Sequence, residues 1–257
     1  RGRPMKQPRK HLLCLLLALW LTGVLLAGCA ADTADTNADL PVITVGCDNY
    51  PPFTYVNSDG QPVGIDVELA DEAFRRMGYR PEFVTINWAE KNELLENGVI
   101  DCIWSSFSMS GRADEYTWAG PYMHSHQVVA VMPDSDIQTL ADLAGKTVVV
   151  QATTKPESLF LDGNDPRIPE IRALHSLQKR ELIYSYLAKG YADAVAAHEI
   201  SILQFMKDYG VEFRILEEPL EAVELGVAFS RSDDRGIAQA LSATLEEMQA
   251  DGTTRSI

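Results

Sequence analysis

Strand-like and helix-like segments alternate along this 257-residue chain, and this alternation limits its fold more than any other feature. Val42–Cys47 and residues 102–104 are short apolar runs of the kind that form strands buried on both faces. Between them, apolar side chains recur at helical spacing from Asp66 to Met77, and Gly78 ends that helix. Parallel strands joined by helices produce this order, so the sequence predicts an α/β fold with mostly parallel sheets.

The same order recurs in the second half of the chain, where residues 146–150 predict a buried strand and residues 176–189 predict a helix. The spacing Leu-x-x-Gly-x-x-Asp, with a β-branched residue two positions later, begins at Leu95 and again at Leu187. In both places a predicted helix ends and a buried strand begins. Two matched units of this kind predict two similar lobes.

A basic and then apolar segment precedes the predicted fold. Five basic residues within the first ten positions are followed by an apolar run at residues 12–26 and by Leu-Ala-Gly-Cys, which ends at Cys29. This order is typical of a secretory signal peptide rather than of a spanning helix. The tetrapeptide resembles a bacterial lipobox, whose cysteine becomes the lipid-modified first residue of the mature protein. We therefore expect a lipoprotein signal peptide at residues 1–29 and a flexible tether at residues 30–40.

The charge and the cysteines exclude several partners. Because 22 Lys and Arg face 37 Asp and Glu, the formal net charge is −15, and losing a basic leader makes it more negative. We expect no nucleic-acid partner, and membrane attachment only through lipid on Cys29. Cys47 and Cys102 are predicted to be free, buried thiols, since they lie at opposite ends of strands that we expect to be parallel neighbours. The cysteine spacing forms no metal motif, and no metal or cofactor is expected.

Polar side chains follow several predicted strands at their carboxyl ends, where open α/β sheets bind ligands. The strand that begins at Cys102 runs into hydroxyl residues and then Arg112, and hydroxyl and guanidinium groups together suit a carboxylate. A carboxylate at Glu199 or Asp48 suits an ammonium group. Together with the hydroxyl residues and Arg112, these carboxylates suit a small zwitterion. The candidate ligand-binding residues are Asp48, Tyr50, Trp88, Ser106, Ser108, Arg112, Gln151, Thr154, His198 and Glu199.

Structural roles would also account for some of these residues. Trp88 would suit a cap on the helix that it begins, and Tyr50 beside two prolines would suit loop packing. A lone histidine such as His198 is more often a hydrogen-bonded core residue than a ligand contact. A carboxylate at a strand end, such as Glu199, is often only solvated.

Three motifs occur in a characteristic order: Tyr-Pro-Pro-Phe at residues 50–53, Gly-Ile-Asp-Val-Glu-Leu-Ala at residues 64–70, and Thr-Trp-Ala-Gly-Pro-Tyr at residues 117–122. Together they resemble the extracellular solute-binding protein family 3, the amino-acid receptors of ABC importers. The resemblance covers residues 42–252. It implies a two-lobed, type II periplasmic-binding-protein-like fold with two hinge strands.

The resemblance also implies lobe boundaries and residue roles. Lobe 1 would comprise residues 41–124 and 222–257, and lobe 2 residues 125–221. The implied roles are the carboxylate grip for Arg112, aided by Ser108 and Thr154; a backbone carbonyl for the ammonium at Ser106; aromatic walls for Tyr50 and Trp88; and side-chain selection for Gln151.

The chain departs from the family pattern at three places. The turn that ends at Arg112 is one residue shorter than usual, which affects the reach of that side chain. The ammonium-binding aspartate of the family falls on His198, and we prefer the adjacent Glu199 because an ammonium favours a carboxylate. Lys155 stands where a small residue is common and would add a cation for an acidic side chain.

The expected function is that of a monomeric ABC-importer receptor that captures an amino acid by cleft closure, faces the periplasm or exterior, and delivers its solute to permease subunits. No catalytic residue is expected. One alternative is an enzyme resembling cyclohexadienyl or arogenate dehydratase, with Glu199 or His198 as general acid. Another is the sensor module of a larger signalling protein.

Overall fold

The computed structural model describes Gly2 and residues 39–257. The predicted signal peptide, Cys29 and the tether up to residue 38 lie outside the described residues. The strands are β1 (Val42–Cys47), β2 (Tyr55–Val56), β3 (Pro62–Val63), β4 (Arg80–Thr85), β5 (Cys102–Ser108), β6 (Thr117–Val131), β7 (Thr147–Gln151), β8 (Ala173–Leu177), β9 (Ala194–His198), β10 (Arg214–Ile215) and β11 (Glu221–Phe229). The helices are α1 (Ile65–Arg76), α2 (Lys91–Glu96), α3 (Lys155–Asp162), α4 (Arg180–Ala188), α5 (Glu199–Tyr209), α6 (Ile237–Ala250) and α7 (Thr253–Ser256), with 3₁₀ turns at Trp88–Glu90 and Leu140–Leu143.

Nine of these strands form one mixed sheet in the order β4-β1-β5-β11-β6-β9-β7-β8, with β10 paired to β6. Strands β4, β1 and β5 are mutually parallel, as are β8, β7 and β9. Between these groups, β11 and β6 run antiparallel to each other and to their outer neighbours. Two parallel halves, which we call lobe 1 and lobe 2, are therefore joined by two long strands. This arrangement confirms the predicted two-lobed α/β fold.

Strands β7 and β9 of lobe 2 are buried on both faces, as their apolar sequences predict. Val149 packs in an apolar cluster on one side of the sheet with Val195, while Val148 and Val150 pack in a second cluster. Because successive side chains of a strand point to opposite faces, continuous burial requires cover on both sides. Helices and loops of lobe 2 supply that cover.

The core of lobe 1 combines residues that precede lobe 2 in the sequence with residues that follow it. Trp104 is fully buried, and its ring centroid lies 5.9 Å from that of Phe74 on α1. Leu245 and Met248 of α6 belong to the same apolar cluster. The chain therefore passes from lobe 1 through lobe 2 and back to lobe 1.

Helix α1 begins at a position that only glycine fits. Gly64 has a φ of 125°, and a Cβ atom there would clash with the carbonyl oxygen of Phe53. Two residues later, the fully buried Asp66 accepts a hydrogen bond of 2.6 Å from the backbone N–H of Ser106 through Oδ2. This bond attaches the start of α1 to the middle of β5.

Strand β5 is longer than the three apolar residues predicted, because the hydroxyl residues that follow continue it to Ser108. Ser105 Oγ accepts a hydrogen bond of 3.1 Å from the N–H of Asp48 and lies 2.8 Å from Thr54 Oγ1. Since buried partners satisfy these polar groups, the strand does not need to turn out to solvent.

The predicted helix at residues 176–189 is wrong at its start. Ala173–Leu177 forms β8, parallel to β7, and α4 begins only at Arg180. Strand β8 is at the edge of the sheet and its side chains are at most half-buried, so its sequence lacks a strong apolar signal. Arg180 is therefore the first residue of α4 and lies beside the carboxyl ends of the strands.

Within residues 39–257, Cys47 and Cys102 are buried and form no disulfide, which confirms the prediction for this pair. Burial, assisted by the charge of Asp48, raises the pKa of Cys47 to about 12. The thiol is therefore protonated and unreactive at neutral pH. Among the residues that the structure describes, no helix combines the length and the apolar character that crossing a bilayer requires.

Candidate functional site

A space of about 320 Å³, partly open to solvent, lies between the two lobes at the carboxyl ends of β5 and β9, and we call it the interlobe cavity. Six of the ten predicted ligand-binding residues line it: Trp88, Ser106, Ser108, Arg112, Thr154 and His198. Asp48, Tyr50, Gln151 and Glu199 are not among its lining residues. The lining includes two cations from lobe 2, Lys155 and Arg180.

Arg112 follows β5 and is held in place from both ends. Its Nη1 donates a hydrogen bond of 3.2 Å to the carbonyl oxygen of Ser108, and its own carbonyl accepts one of 3.0 Å from Trp118 Nε1. The guanidinium carbon lies 5.2 Å from the ring centroid of Phe107. Burial lowers the pKa of Arg112, so an anionic ligand would compensate a partly desolvated cation.

His198, the last residue of β9, is a hydrogen-bonded, buried histidine that also lines the cavity. Its Nδ1 lies 3.2 Å from Ser125 Oγ and its Nε2 lies 2.8 Å from Gln127 Nε2. Burial, and secondarily the charge of Arg180, lowers the pKa of His198 to about 3. The imidazole is therefore neutral at pH 7.

Glu199 begins α5 and points away from the cavity lining. Its side chain is 41% exposed, and its Oε2 lies 3.7 Å from Nδ1 of the exposed His126. His198 and Glu199 are adjacent in the sequence, but only the side chain of His198 lines the cavity, and the carboxylate of Glu199 lies outside the lining. This position does not support Glu199 as a partner for a bound ammonium.

Asp48 connects the lobes. Its Oδ2 accepts a hydrogen bond of 2.7 Å from Gln151 Nε2 and lies 3.5 Å from Arg180 Nε. Asp48 follows β1 in lobe 1, whereas Gln151 and Arg180 belong to β7 and α4 in lobe 2. These two predicted residues, Asp48 and Gln151, therefore bind each other across the lobes rather than line the cavity.

The ring of Tyr50 stacks against the guanidinium of Arg180. The guanidinium carbon of Arg180 lies 3.3 Å from the ring centroid of Tyr50, and the ring of His198 lies 5.8 Å away. Burial raises the pKa of Tyr50. The aromatic wall predicted at this position thus acts by stacking on a lining cation.

Lys155 reaches the cleft from the first turn of α3 in lobe 2. Its Nζ lies 3.4 Å from Oε2 of Glu221, at the start of β11. Nζ also lies close to Gly111: a Cβ atom added to that glycine would be 3.3 Å away. Gly111 immediately precedes Arg112. The ammonium of Lys155 is therefore close to the loop that carries Arg112.

A further contact joins the lobes through Lys91. Its Nζ donates to Thr153 Oγ1 at 3.1 Å and to the Thr153 carbonyl oxygen at 3.3 Å. It also lies 5.0 Å from the ring centroid of Trp88. Burial, followed by the charge of Arg112, lowers the pKa of Lys91 to about 8. With the Asp48–Gln151 bond, this contact holds the lobes together as in a closed cleft.

Sequence reasoning missed Arg180 and Gln127 and mentioned Lys155 only as a departure. Arg180 was hidden inside a helix that was predicted to start four residues too early. The available signal was the order of a strand end at Leu177 and a helix that begins at Arg180, which predicts a cation at the ligand-binding edge of the sheet. Gln127 lies in the long strand β6, where no local pattern distinguishes it from a solvent-facing glutamine.

The sequence profile of the bacterial extracellular solute-binding proteins, family 3, matches residues 43–257, and the chain belongs to this family. This confirms the family predicted from its motifs. PatH of Vibrio harveyi, which carries the provisional name of an amino-acid ABC transporter-binding protein, is 31% identical over 237 residues, covering 91% of this chain and 93% of PatH. The histidine-binding periplasmic protein of Salmonella typhimurium is 32% identical over 247 residues, covering 92% and 93% of the two chains.

A solved structure extends the likeness to three dimensions. The crystal structure of Tv2483 bound to L-arginine superimposes with a TM-score of 0.76 at 28% identity, covering 83% of this chain and 87% of that one. The two relatives and this structure are named for histidine, arginine or amino acids in general. The chain is thus similar to binding proteins of this fold whose named solutes differ.

Proposed function

We propose that this protein is the solute receptor of an ABC importer and binds an amino acid in the interlobe cavity. The observation that carries the proposal is Arg112, a half-buried guanidinium beside hydroxyl groups in a cavity between two lobes. A planar guanidinium with neighbouring hydroxyl donors suits the α-carboxylate that all amino acids share. The names of the two relatives support the same class of solute and partner.

In the proposed pose, the α-carboxylate binds Arg112, with the hydroxyl of Ser108 and the backbone N–H of Thr154 as additional donors; the Thr154 hydroxyl itself donates to the Gln151 carbonyl at 2.6 Å. The body of the solute packs against Trp88, and the backbone carbonyl of Ser106 accepts a hydrogen bond from the ammonium. Tyr50 and Gln151 contribute through Arg180 and Asp48, the residues that they contact.

The solute would stabilise the closed form because it touches both lobes only when they are together. Ser106, Ser108 and Arg112 belong to lobe 1, whereas Thr154 and His198 belong to lobe 2. Periplasmic binding proteins are a known case of hinge closure around a ligand. We propose lobe 1 at residues 41–124 and 222–257, lobe 2 at residues 125–221, and a hinge in β6 and β11; a permease would bind the closed form.

We also propose that the lipoprotein signal at residues 1–29, cleaved before Cys29, directs export and that lipid on Cys29 anchors a monomer facing the periplasm or exterior. Family membership supports the export. Metabolic labelling with palmitate tests the anchor: the wild-type protein should incorporate the label, and Cys29→Ala should not. Label retained by the variant would contradict lipidation at this residue.

Binding rather than catalysis is the better account of the cavity. A dehydratase needs a group that can protonate a leaving hydroxyl. His198 is unprotonated at neutral pH because of its lowered pKa, and Glu199 lies outside the lining. Incubation with arogenate or prephenate should yield no aromatic product, and turnover would contradict the proposal.

Calorimetry with the twenty amino acids tests the receptor function on protein that starts after Cys29. We expect saturable 1:1 binding of at least one amino acid, accompanied by a change in intrinsic tryptophan fluorescence because Trp88 lines the cavity. Absence of binding by all twenty would contradict an amino-acid receptor.

A further inference from the structure

We propose that the solute is acidic, with a second carboxylate in addition to the one on Arg112 and a net negative charge. This inference rests on the proposed function, because it takes the interlobe cavity as the solute site. It names the class of amino acid and assigns the second carboxylate to Lys155 and Arg180.

The charges of the lining are all of one sign. Arg112, Lys155 and Arg180 line the interlobe cavity, and among the described residues no Asp or Glu lines it. This positive cavity belongs to a chain whose formal net charge is −15. A local concentration of cations against the charge of the whole protein indicates selection for an anion.

Arg180 is only partly neutralised by the protein. Its side chain is 8% exposed, and the nearest carboxylate oxygen, Asp48 Oδ2, lies 3.5 Å from its Nε. That Nε has no hydrogen-bond partner among residues 39–257. The shared oxygen of Asp48 is already bound to Gln151 at 2.7 Å. A buried guanidinium in this position retains capacity for an anionic ligand.

Lys155 supplies the second lining cation from the same lobe. Its side chain is 14% exposed, and its Nζ lies 3.4 Å from a single carboxylate oxygen of Glu221. The proximity of Nζ to Gly111 brings this ammonium next to the Arg112 loop. A solute held by Arg112 would therefore share one cavity with Lys155 and Arg180, the two lining cations of lobe 2.

The ion pairs of the lining cations favour the same class of solute. Lys155 and Arg180 each lie near one carboxylate oxygen, of Glu221 at 3.4 Å and of Asp48 at 3.5 Å, whereas Arg112 forms no salt bridge among the described residues. An acidic amino acid, with two carboxylates and one ammonium, would bring a single negative charge to these cations. A basic amino acid would instead add an unpaired positive charge to a closed cavity, which is unfavourable. The site thus differs in its expected solute from the histidine- and arginine-binding proteins that it resembles.

The test pairs each acid with its amide, which has nearly the same shape without the charge. Calorimetry would compare L-glutamate with L-glutamine and L-aspartate with L-asparagine on the wild-type protein. We expect one acid to bind at least about 30-fold more tightly than its amide. Equal affinities for both pairs, or tighter binding of a neutral or basic amino acid, would overturn the inference and leave the receptor function intact.

Variants assign the preference to a residue. Lys155→Gln should reduce the acid-to-amide ratio about tenfold or more, chiefly by weakening the acid, whereas Lys155→Arg should keep most of it. Lys146→Gln, which removes a surface lysine paired with Asp136 at 2.9 Å, is the matched control and should leave the ratio within about twofold. An unchanged ratio in a folded Lys155→Gln protein would overturn the assignment.

Two ammonium-free dicarboxylates, succinate and glutarate, separate this inference from the proposed function. If they bind tightly and no amino acid does, the anionic site is supported and the amino-acid receptor is overturned. If none of these compounds and no amino acid binds, both proposals are overturned.

Discussion

The Nε atom of Arg180 lies 3.5 Å from the Oδ2 atom of Asp48, and the two residues belong to different lobes. The carboxylate also accepts a hydrogen bond of 2.7 Å from Gln151, while the guanidinium stacks on Tyr50. One carboxylate therefore balances a buried cation and links the lobes at the same time.

Asp48→Asn should destabilise the protein because it leaves Arg180 buried without its counter-charge. We expect the free energy of unfolding, measured by urea denaturation at pH 7, to fall by about 3 kcal/mol. The control is Asp136→Asn, since the Asp136 side chain is 82% exposed and pairs with Lys146 on the surface. That variant should cost less than about 1 kcal/mol. Equal losses for the two variants would contradict the role given to Asp48.

Arg112→Lys should weaken solute binding at least about tenfold, because lysine keeps the charge but loses the two-pronged geometry for a carboxylate. Calorimetry with the best-binding amino acid measures the effect. Arg75→Lys is the matched control: Arg75 is on the surface of α1, 59% exposed and paired with Glu72. Wild-type affinity in a folded Arg112→Lys protein would show that the carboxylate binds elsewhere.

His198 should make stability depend on pH below neutrality. Its pKa is lowered from 6.5 to about 3 by burial and by Arg180; Ser125, Gln127 and Tyr50 also face the ring. The unfolded chain therefore takes up a proton between pH 6.5 and 3 that the folded protein excludes, and stability falls as the pH falls through this window.

Urea denaturation between pH 4 and 7 checks this effect. The stability advantage of the wild-type protein over His198→Gln should grow by at least about 1 kcal/mol from pH 4 to pH 6.5. His124→Gln, at a 78% exposed ring, is the control and should not change the profile. A constant difference between wild type and His198→Gln would contradict a buried, neutral imidazole.

Asp66 should act in the opposite direction. Burial raises its pKa from 3.8 to about 7, although the N–H of Ser106 and the hydroxyl of Tyr122 lower it in part. The folded protein therefore binds a proton between pH 4 and 7 that the unfolded chain has lost, and this contribution to stability decreases as the pH rises. Asp66→Asn keeps an acceptor for the Ser106 N–H but does not titrate.

The stability of Asp66→Asn relative to the wild type should therefore increase from pH 4 to pH 7, by about 1 kcal/mol or more. Asp59→Asn, in an exposed turn, serves as the control in the same urea experiment. A relative stability of Asp66→Asn that stays flat or decreases with pH would show that the carboxyl titrates normally.

The fold could be predicted from the sequence because its main signal, alternating apolar runs and helical spacing, reports burial directly. The apolar run Val148, Val149 and Val150 predicts a strand covered on both faces, and the three side chains pack in apolar clusters on the two sides of the sheet. The edge strand β8 was missed for the same physical reason: its side chains are at most half-buried, so they carry little apolar pattern.

The site was harder to predict because it depends on side-chain direction at element ends. His198 and Glu199 are adjacent, yet only His198 lines the cavity. Arg180 reaches the cavity from the start of α4, a position that the sequence did not predict. Asp48 and Gln151, which are 103 residues apart in the sequence, form a hydrogen bond between the lobes. Such contacts arise from tertiary packing, which local spacing does not encode.

A crystal structure with the tightest-binding solute of the calorimetric panel tests the central claim most directly. We expect density in the interlobe cavity beside Trp88, with one carboxylate at about 3 Å from the guanidinium of Arg112 and contacts to both lobes. A solute bound outside this cavity, with Arg112 directed into bulk water, would contradict the account.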